Sequence, residues 1–176
     1  MIIAKTERVS LRQLTLADAS FIVTLLNDKS FIKNIADKNV RTEADAHNYL
    51  KQGPLASYDS FGFGLNIVSL NEGGTPIGMC GLLKRDELPY PDLGYALLPE
   101  FCGKGYAFEA ANALLRYELP KYNLNTVLAI VSPTNLSSNK LLMKLGFSQI
   151  ESTVLYGMKN NQYQYFQDGR TSDSCK

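Results

Sequence analysis

A chain of 176 residues has room for one well-buried core and too little for two ordinary domains. Hydrophobic residues at 45%, charged residues at 20% and a formal net charge of +1 suit a globular domain, and exclude a compositional footprint for nucleic acid or anionic lipid. Cys80, Cys102 and Cys175 form no CxxC pair and His47 is the only histidine, so no spacing suggests a metal site and the cysteine usage fits a reducing compartment.

The start, Met1-Ile2-Ile3-Ala4-Lys5, lacks the basic and apolar regions of a secretory signal, and no run reaches the ~20 apolar residues of a membrane span. A cytoplasmic domain without a membrane partner is expected. Val9 and Leu11 alternate with Ser10 and Arg12, which predicts a half-buried strand over 9–16. Thr15 and Asp18 make a capping-box start for a helix with Phe21, Ile22, Leu25 and Leu26 at helical spacing. Thr42 and Asp45 open a second helix, which Gly53-Pro54 is expected to end. Aromatic and β-branched runs over 61–70 and 76–83, split by Asn71-Glu72-Gly73-Gly74, read as a hairpin.

A third run, 93–98, stops at Pro99 and leads into a helix over 105–119. The stripe of that helix, Ala107, Ala110, Ala111, Leu114 and Leu115, is mostly alanine and so can lie close to a sheet. Residues 126–131 read as a buried strand. Residues 137–145 form a helix closed by Gly146, with Phe147 placed to reach back to Leu142. Strands follow over 148–158 and 162–167, and residues 169–176 form a polar tail to a single domain over 1–168. The order β-α-α-β-β-β-α-β-α-β-β predicts an α+β, three-layer fold. Its mixed sheet carries helices on its faces, and the unit 93–131 has the length of a βαβ crossover.

The chemistry gathers where strand 93–98 meets the next helix, Leu98-Pro99-Glu100-Phe101-Cys102-Gly103-Lys104-Gly105-Tyr106-Ala107. A strand-loop-helix of this kind aims unpaired backbone N–H groups at one spot, and the helix dipole adds about half a positive charge there. Gly103 and Gly105 allow close approach of a phosphate, with Lys104 as a rim charge. The segment lacks the GxxxxGK[ST] of a nucleotide P-loop, and Phe108 stands where a dinucleotide fingerprint needs Gly or Ala. A lone GxG is more often only a tight turn.

This GxG has company. Cys102-Gly103-Lys104-Gly105-Tyr106-Ala107 resembles the pyrophosphate loop of the GNAT N-acetyltransferase family, with Cys102 where the family pattern has Gln or Arg. The longer stretch 93–110 is similar to the subgroup that acetylates ribosomal-protein N-termini. A second segment, Asn135-Leu136-Ser137-Ser138-Asn139 through Leu145-Gly146-Phe147, resembles the family's Asn-x-x-Ser…Leu-Gly-Phe helix. So does the opening, Arg8-Val9-Ser10-Leu11-Arg12-Gln13-Leu14 with Asp18. The resemblance implies a GNAT-like mixed, mostly antiparallel central sheet and acetyl-CoA as co-substrate, with no metal. It also implies backbone contacts from Ala96, Leu97 and Leu98 to the pantetheine arm, and a pyrophosphate seated on 102–107. Asn135 and Asn139 join the coenzyme site on the same grounds.

Direct attack by an amine needs a proton acceptor and a tolerable leaving thiolate. Asp92 sits where relatives often place a Glu, and a carboxylate there can take the proton through water; an ordinary loop aspartate is the rival reading. Glu87 is a weaker candidate on the same grounds. The family's thiolate-protonating tyrosine matches Met143, which carries no proton to give. A thiol of pKa roughly 8.5 needs only modest help, which Ser138 can supply unless it is simply a first-turn helix serine. Cys102, beside a helix N-terminus, reads as a small hydrophobe rather than a nucleophile. The resemblance implies an N-acetyltransferase whose expected acceptor is a protein or peptide N-terminus; the alternatives are a small amine such as a polyamine or aminoglycoside, and a non-catalytic acyl-CoA-binding module. The oligomeric state stays open.

Overall fold

The computed structural model describes residues 1–167; the expected polar tail lies outside the described residues. The strands are β1 Ile2–Lys5, β2 Val9–Gln13, β3 Leu65–Leu70, β4 Pro76–Leu83, β5 Asp92–Leu97, β6 Thr126–Val131, β7 Ser148–Leu155 and β8 Met158–Phe166. They form one sheet in the order β1-β2-β3-β4-β5-β6-β8-β7. Every neighbouring pair is antiparallel except β5 and β6. The helices are α1 Ala19–Leu26, α2 Lys29–Asn34, α3 Glu43–Leu50, α4 Ala56–Phe61, α5 Tyr106–Lys121 and α6 Leu136–Lys144. The expected α+β architecture with a mostly antiparallel sheet and helices on both faces is therefore present.

Strand alternation feeds two cores. On one face Val9, Leu11, Val68, Leu82 and Leu93 pack with Ala110, Ala111, Leu114 and Leu115 of α5 and with Leu142 of α6. On the other face Leu14, Ile67 and Met79 pack with Ile22, Leu25 and Leu26 of α1 and Ala46 and Leu50 of α3. The alanines of α5 bring its backbone close to the sheet, as their stripe requires.

The end signals work as local chemistry predicts. Asp18 takes the Thr15 N–H at 2.8 Å, and Thr42 and Asp45 cap α3 reciprocally at 3.1 and 2.9 Å. Gly146, at φ +97°, closes α6, with Phe147 N–H on the Leu142 carbonyl and Gly146 N–H on that of Met143.

Several boundaries differ from expectation: the strand expected over 9–16 ends at Gln13, because Thr15 already opens the helical turn that follows. Gly53-Pro54 does not end a helix: α3 runs through a π turn, Lys51–Leu55, into α4. A π turn already displaces the usual i→i−4 bond, so a proline without an N–H sits there at little cost. The next strand consequently starts at Leu65, after α4 ends at Gly62 in the left-handed region. At the other end, β7 stops at Leu155 and β8 starts at Met158, so a two-residue turn at Tyr156-Gly157 makes β8 longer than the pattern suggested.

Candidate active site

Strands β5 and β6 lie side by side but pair at a single position, Asp92 with Leu128, supported by Leu128 N–H on the Pro91 carbonyl at 2.9 Å. Beyond Asp92 the two strands part. A cleft of about 520 Å³ opens between them, with Gly94 to Leu97 on one wall and Ala129 to Val131 on the other. Its far end is framed by the 102–108 loop and by Asn135, Ser138, Leu141 and Leu142 of the α6 region.

The open edge of β5 supplies hydrogen-bonding groups. Leu98 N–H is given to the Ile77 carbonyl at 2.9 Å. In an antiparallel ladder successive residues turn their peptide groups to opposite edges. Tyr95 and Leu97 therefore face the gap, while Ala96 and Leu98 are committed to β4. The expected set Ala96 to Leu98 is narrowed by this geometry: Leu97 turns its peptide group to the gap, as Tyr95 does, Leu98 gives its N–H to β4, and Ala96 lines the cleft only by position. The Tyr95 hydroxyl crosses the gap to the Ser138 carbonyl at 3.3 Å, tying β5 to the first turn of α6.

At the cleft's end Pro99–Phe101 make one 3-10 turn, and Gly103 and Gly105 adopt φ +74° and +84°. Both values lie in the left-handed region that favours glycine. Gly105 is the N-cap of α5, so the N–H groups of Tyr106, Ala107 and Phe108 open toward the cleft that these residues line. A side chain built at Gly103 would meet nothing within 4 Å, which leaves room for a bulky anion. Lys104 stays exposed, its ammonium 5.8 Å from the Phe101 ring, as a rim charge outside the cleft wall. Cys102 lines the cleft, but burial and the carboxylates of Asp28 and Glu100 push its thiol up, so the helix end does not activate it.

One feature of α5 opposes an anion. Glu109 lies in its first turn. Arg8 neutralises it, with guanidinium contacts of 2.6 and 2.7 Å and a backbone N–H at 2.9 Å, while the Thr6 hydroxyl donates at 2.6 Å. Burial would raise the Glu109 carboxyl, yet these bonds outweigh it and hold the group below its ordinary value. Arg8 also donates to the Lys104 carbonyl at 3.0 Å and lies 4.7 Å from the Tyr106 ring centroid, so it braces the loop as well.

Asp92 sits at the fork, only 2% exposed, with Arg85 Nε on its Oδ1 at 2.8 Å. Burial raises its carboxyl above the ordinary value and outweighs the attraction of Arg85. It is a carboxylate kept in place by one cation and made more basic by desolvation. Glu87, in contrast, is exposed and accepts from the Tyr156 hydroxyl at 3.3 Å, outside the cleft wall.

Ser138 is half-buried and lines the cleft, with its N–H on Asn135 Oδ1 at 3.3 Å. Asn135 thereby caps α6 at the fork. Asn139 does not reach the cleft. It is 7% exposed and gives its amide to the carbonyls of Ser132 and Asn135. Its Oδ1 accepts from Asn161 and Tyr163. Every amide function is used inside the protein, which corrects its placement among coenzyme ligands. Met143 is 57% exposed and does not line the cleft; the α6 residues that line it are Ser137, Ser138, Leu141, Leu142 and Lys144.

Comparison with known proteins decides the family. The model of the Acetyltransferase (GNAT) domain matches residues 8–148. The chain belongs to the GNAT acetyltransferases. An uncharacterized N-acetyltransferase of Bacillus licheniformis, p20, is 30% identical over 145 residues, covering 82% of this chain and 81% of that one. The crystal structure of an acetyltransferase from Agrobacterium tumefaciens is 27% identical, with a TM-score of 0.79 over 93% of each chain. RimL, a ribosomal L7/L12 alpha-N-protein acetyltransferase in complex with coenzyme A, shares the fold at a TM-score of 0.83. Its identity is 15%, over 96% of this chain and 99% of that chain.

This GNAT protein is thus an acetyl-CoA-dependent N-acetyltransferase, and its residues fit the coenzyme. The forked strands can take an extended arm, and the α5 N-terminus with its glycines can take the diphosphate. Three participants escaped the sequence reading: Arg85, Tyr95 and helix α2, whose Ser30, Phe31 and Asn34 line the cleft. Arg85 stands in a charged loop, Lys84-Arg85-Asp86-Glu87, where nothing singles it out. The only local signal for α2 is Asp28, which accepts from Ser30 and Phe31 N–H.

Proposed function

We propose that this GNAT enzyme transfers the acetyl group directly to the primary amine of a protein or peptide N-terminus. Asp92 accepts the amine proton through water and Ser138 hydrogen-bonds the departing sulfur. The observation that carries this reading is the position of Asp92: a buried carboxylate of raised pKa at the last paired residue before β5 and β6 part. Acetyl-CoA supplies the activated acyl group. The protein does the rest. Tyr95 and Leu97 offer peptide N–H groups to the carbonyl oxygen as it gains charge, the class of contribution that is largest in acyl transfer. The narrow fork holds the acyl carbon in line with an amine arriving near Asp92. Ser138, on the α6 wall, is the polar side chain whose placement suits the sulfur.

The test is release of free thiol from acetyl-CoA on addition of a peptide library. Turnover with peptides and not with polyamines or aminoglycosides supports the N-terminal reading. Turnover only with the small amines replaces it, and coenzyme binding without any turnover rejects catalysis.

A further inference from the structure

A second cavity of about 360 Å³ lies beside the fork, and its walls carry charge of one sign. Lys38, Tyr49, Gln52, Pro54, Leu83 and Lys84 contribute to it, and among the described residues no carboxylate lines it. The cavity touches the chemistry through β4. Leu83 stands directly opposite Asp92 in the β4–β5 ladder, so the two side chains share one sheet face. A side chain built on Gly94 would collide with Leu83 and reach Leu65, and both leucines line this cavity. The cavity thus borders, through those side chains, the cleft that Gly94 and Asp92 line.

The positive charge has no internal partner. Among the described residues the ion pairs are Arg8–Glu109, Arg12–Asp18, Arg41–Asp37 and Arg85–Asp92, so neither Lys38 nor Lys84 is paired with a carboxylate. Lys84 donates only to the neutral carbonyls of Arg85 and Leu88, at 3.0 and 3.2 Å. Asp37, next to Lys38 in sequence, is occupied by Arg41. Burial, and then repulsion from Arg85, lowers the Lys38 ammonium from its ordinary value. Arg85 and Lys84 thus both act on Asp92, and Lys38 lies close enough to Arg85 to feel its charge. Such a pocket favours an entering anion and penalises an entering cation.

We infer that the acceptor amine belongs to a molecule carrying a carboxylate or phosphate close to that amine, which this pocket holds while the amine points to Asp92. This rests on the proposed transfer to a primary amine. It selects an acidic peptide N-terminus or a small amino acid over a polycation.

The experiment compares kcat/KM for Ser-Glu, Ser-Ala and Ser-Lys tetrapeptides, for free serine against serinamide, and for spermidine, in wild type and in Lys38→Glu. The expected result is at least a tenfold preference for Ser-Glu over Ser-Ala, with Ser-Lys and spermidine weakest. In Lys38→Glu that order collapses or inverts while calorimetric affinity for coenzyme A is unchanged. The peptide and free-serine arms separate the two sources of the anion. Equal rates for the three tetrapeptides, together with equal rates for serine and serinamide, or a preference unchanged in Lys38→Glu, overturns the inference. If no amine is turned over, transfer itself has failed. Calorimetry of acetyl-Ser-Glu against acetyl-Ser-Lys on the coenzyme-loaded protein then decides, tenfold tighter binding of the acidic product upholding the pocket's role and equal binding rejecting it.

Discussion

Arg85 and Asp92 are joined by a 2.8 Å bond between the end of β4 and the start of β5, directly where the sheet forks. The two effects on Asp92 oppose one another: burial raises its pKa and Arg85 lowers it, and burial wins. If Asp92 takes the amine proton, kcat/KM falls as pH drops through its raised pKa. Removing Arg85 removes the lowering influence, so Arg85→Met shifts that acidic limb to higher pH. Asp92→Asn removes the limb and lowers kcat by the 10²–10⁴-fold typical of a lost general base. A pH–rate profile of both variants checks this, and an Asn variant with an unchanged profile removes Asp92 from the mechanism. Arg85 is 28% exposed, so its loss costs about 2 kcal/mol of stability, below the ~3–5 kcal/mol of a fully buried pair.

Ser138→Ala separates the helix-start role from assistance to the sulfur. The bond that caps α6 uses the Asn135 side chain and the Ser138 backbone N–H, neither of which the substitution touches. Stability is expected within about 0.5 kcal/mol of wild type. A drop in kcat of about tenfold, with KM for acetyl-CoA unchanged, is the expected signature of an interaction made in the transition state. Unchanged kcat assigns Ser138 to structure alone.

Arg8→Gln leaves Glu109 as an uncompensated negative charge in the first turn of α5, facing the place where a diphosphate sits. KM for acetyl-CoA is expected to rise about tenfold, with kcat little changed. The double variant with Glu109→Gln restores most of the loss, because the repelling charge is gone. Steady-state kinetics at two ionic strengths checks it: screening shrinks the Arg8→Gln defect at high salt.

Much of this was legible in the sequence, and the reasons are local. Gly103, Gly105, Asn135 and the Gly146-Phe147 ending act within one turn of the chain, so their spacing carries the geometry. The Thr42 cap did the same for α3, and the Thr15–Asp18 box for the 3-10 turn that leads into α1. What escaped depends on pairing across the fold. Arg85 gains meaning only because β4 and β5 pair antiparallel around a loop. The edge to which Ala96 and Leu97 turn their peptide groups depends on which residue bonds Ile77. Asn139 falls beside Ser138 in a motif, yet one residue along a helix is about 100° around it, enough to exchange cleft for core.

Asn139 yields a prediction that distinguishes scaffold from ligand. Its amide joins α6 to the end of β6 and to Asn161 and Tyr163 of β8. Asn139→Leu strands the buried Tyr163 hydroxyl and the Asn161 amide, at about 1–3 kcal/mol for each stranded group. A large fall in Tm is expected, with calorimetric affinity for coenzyme A within about twofold of wild type under conditions where the variant is folded. A selective loss of coenzyme affinity at unchanged Tm contradicts this assignment.

Glu118 gives the last prediction, on stability against pH. It lies on α5, 1% exposed, beside Asn66 of β3, which is equally buried. Glu118 Oε2 and Asn66 Oδ1 are both buried acceptors without a donor among the described residues. An ionised Glu118 is a buried charge without a donor at Oε2, whereas protonation removes that charge and gives the carboxyl an O–H of its own. Burial pushes the Glu118 pKa up from 4.5 to about 7, against smaller lowering by Asn66 and Lys121. The folded state therefore holds its proton more tightly than the unfolded chain does. The sign follows: this stabilisation is complete below pH ~4.5 and is lost as pH rises through about 7. By pH 8 ionisation removes about 3 kcal/mol relative to acid conditions. Glu118→Gln keeps a donor in the same place and cannot ionise. Its Tm is expected to match wild type near pH 5 and to exceed it at pH 8. Parallel melting curves across pH 5–8 test this, and a Gln variant no more stable than wild type at pH 8 shows that Glu118 is not held protonated.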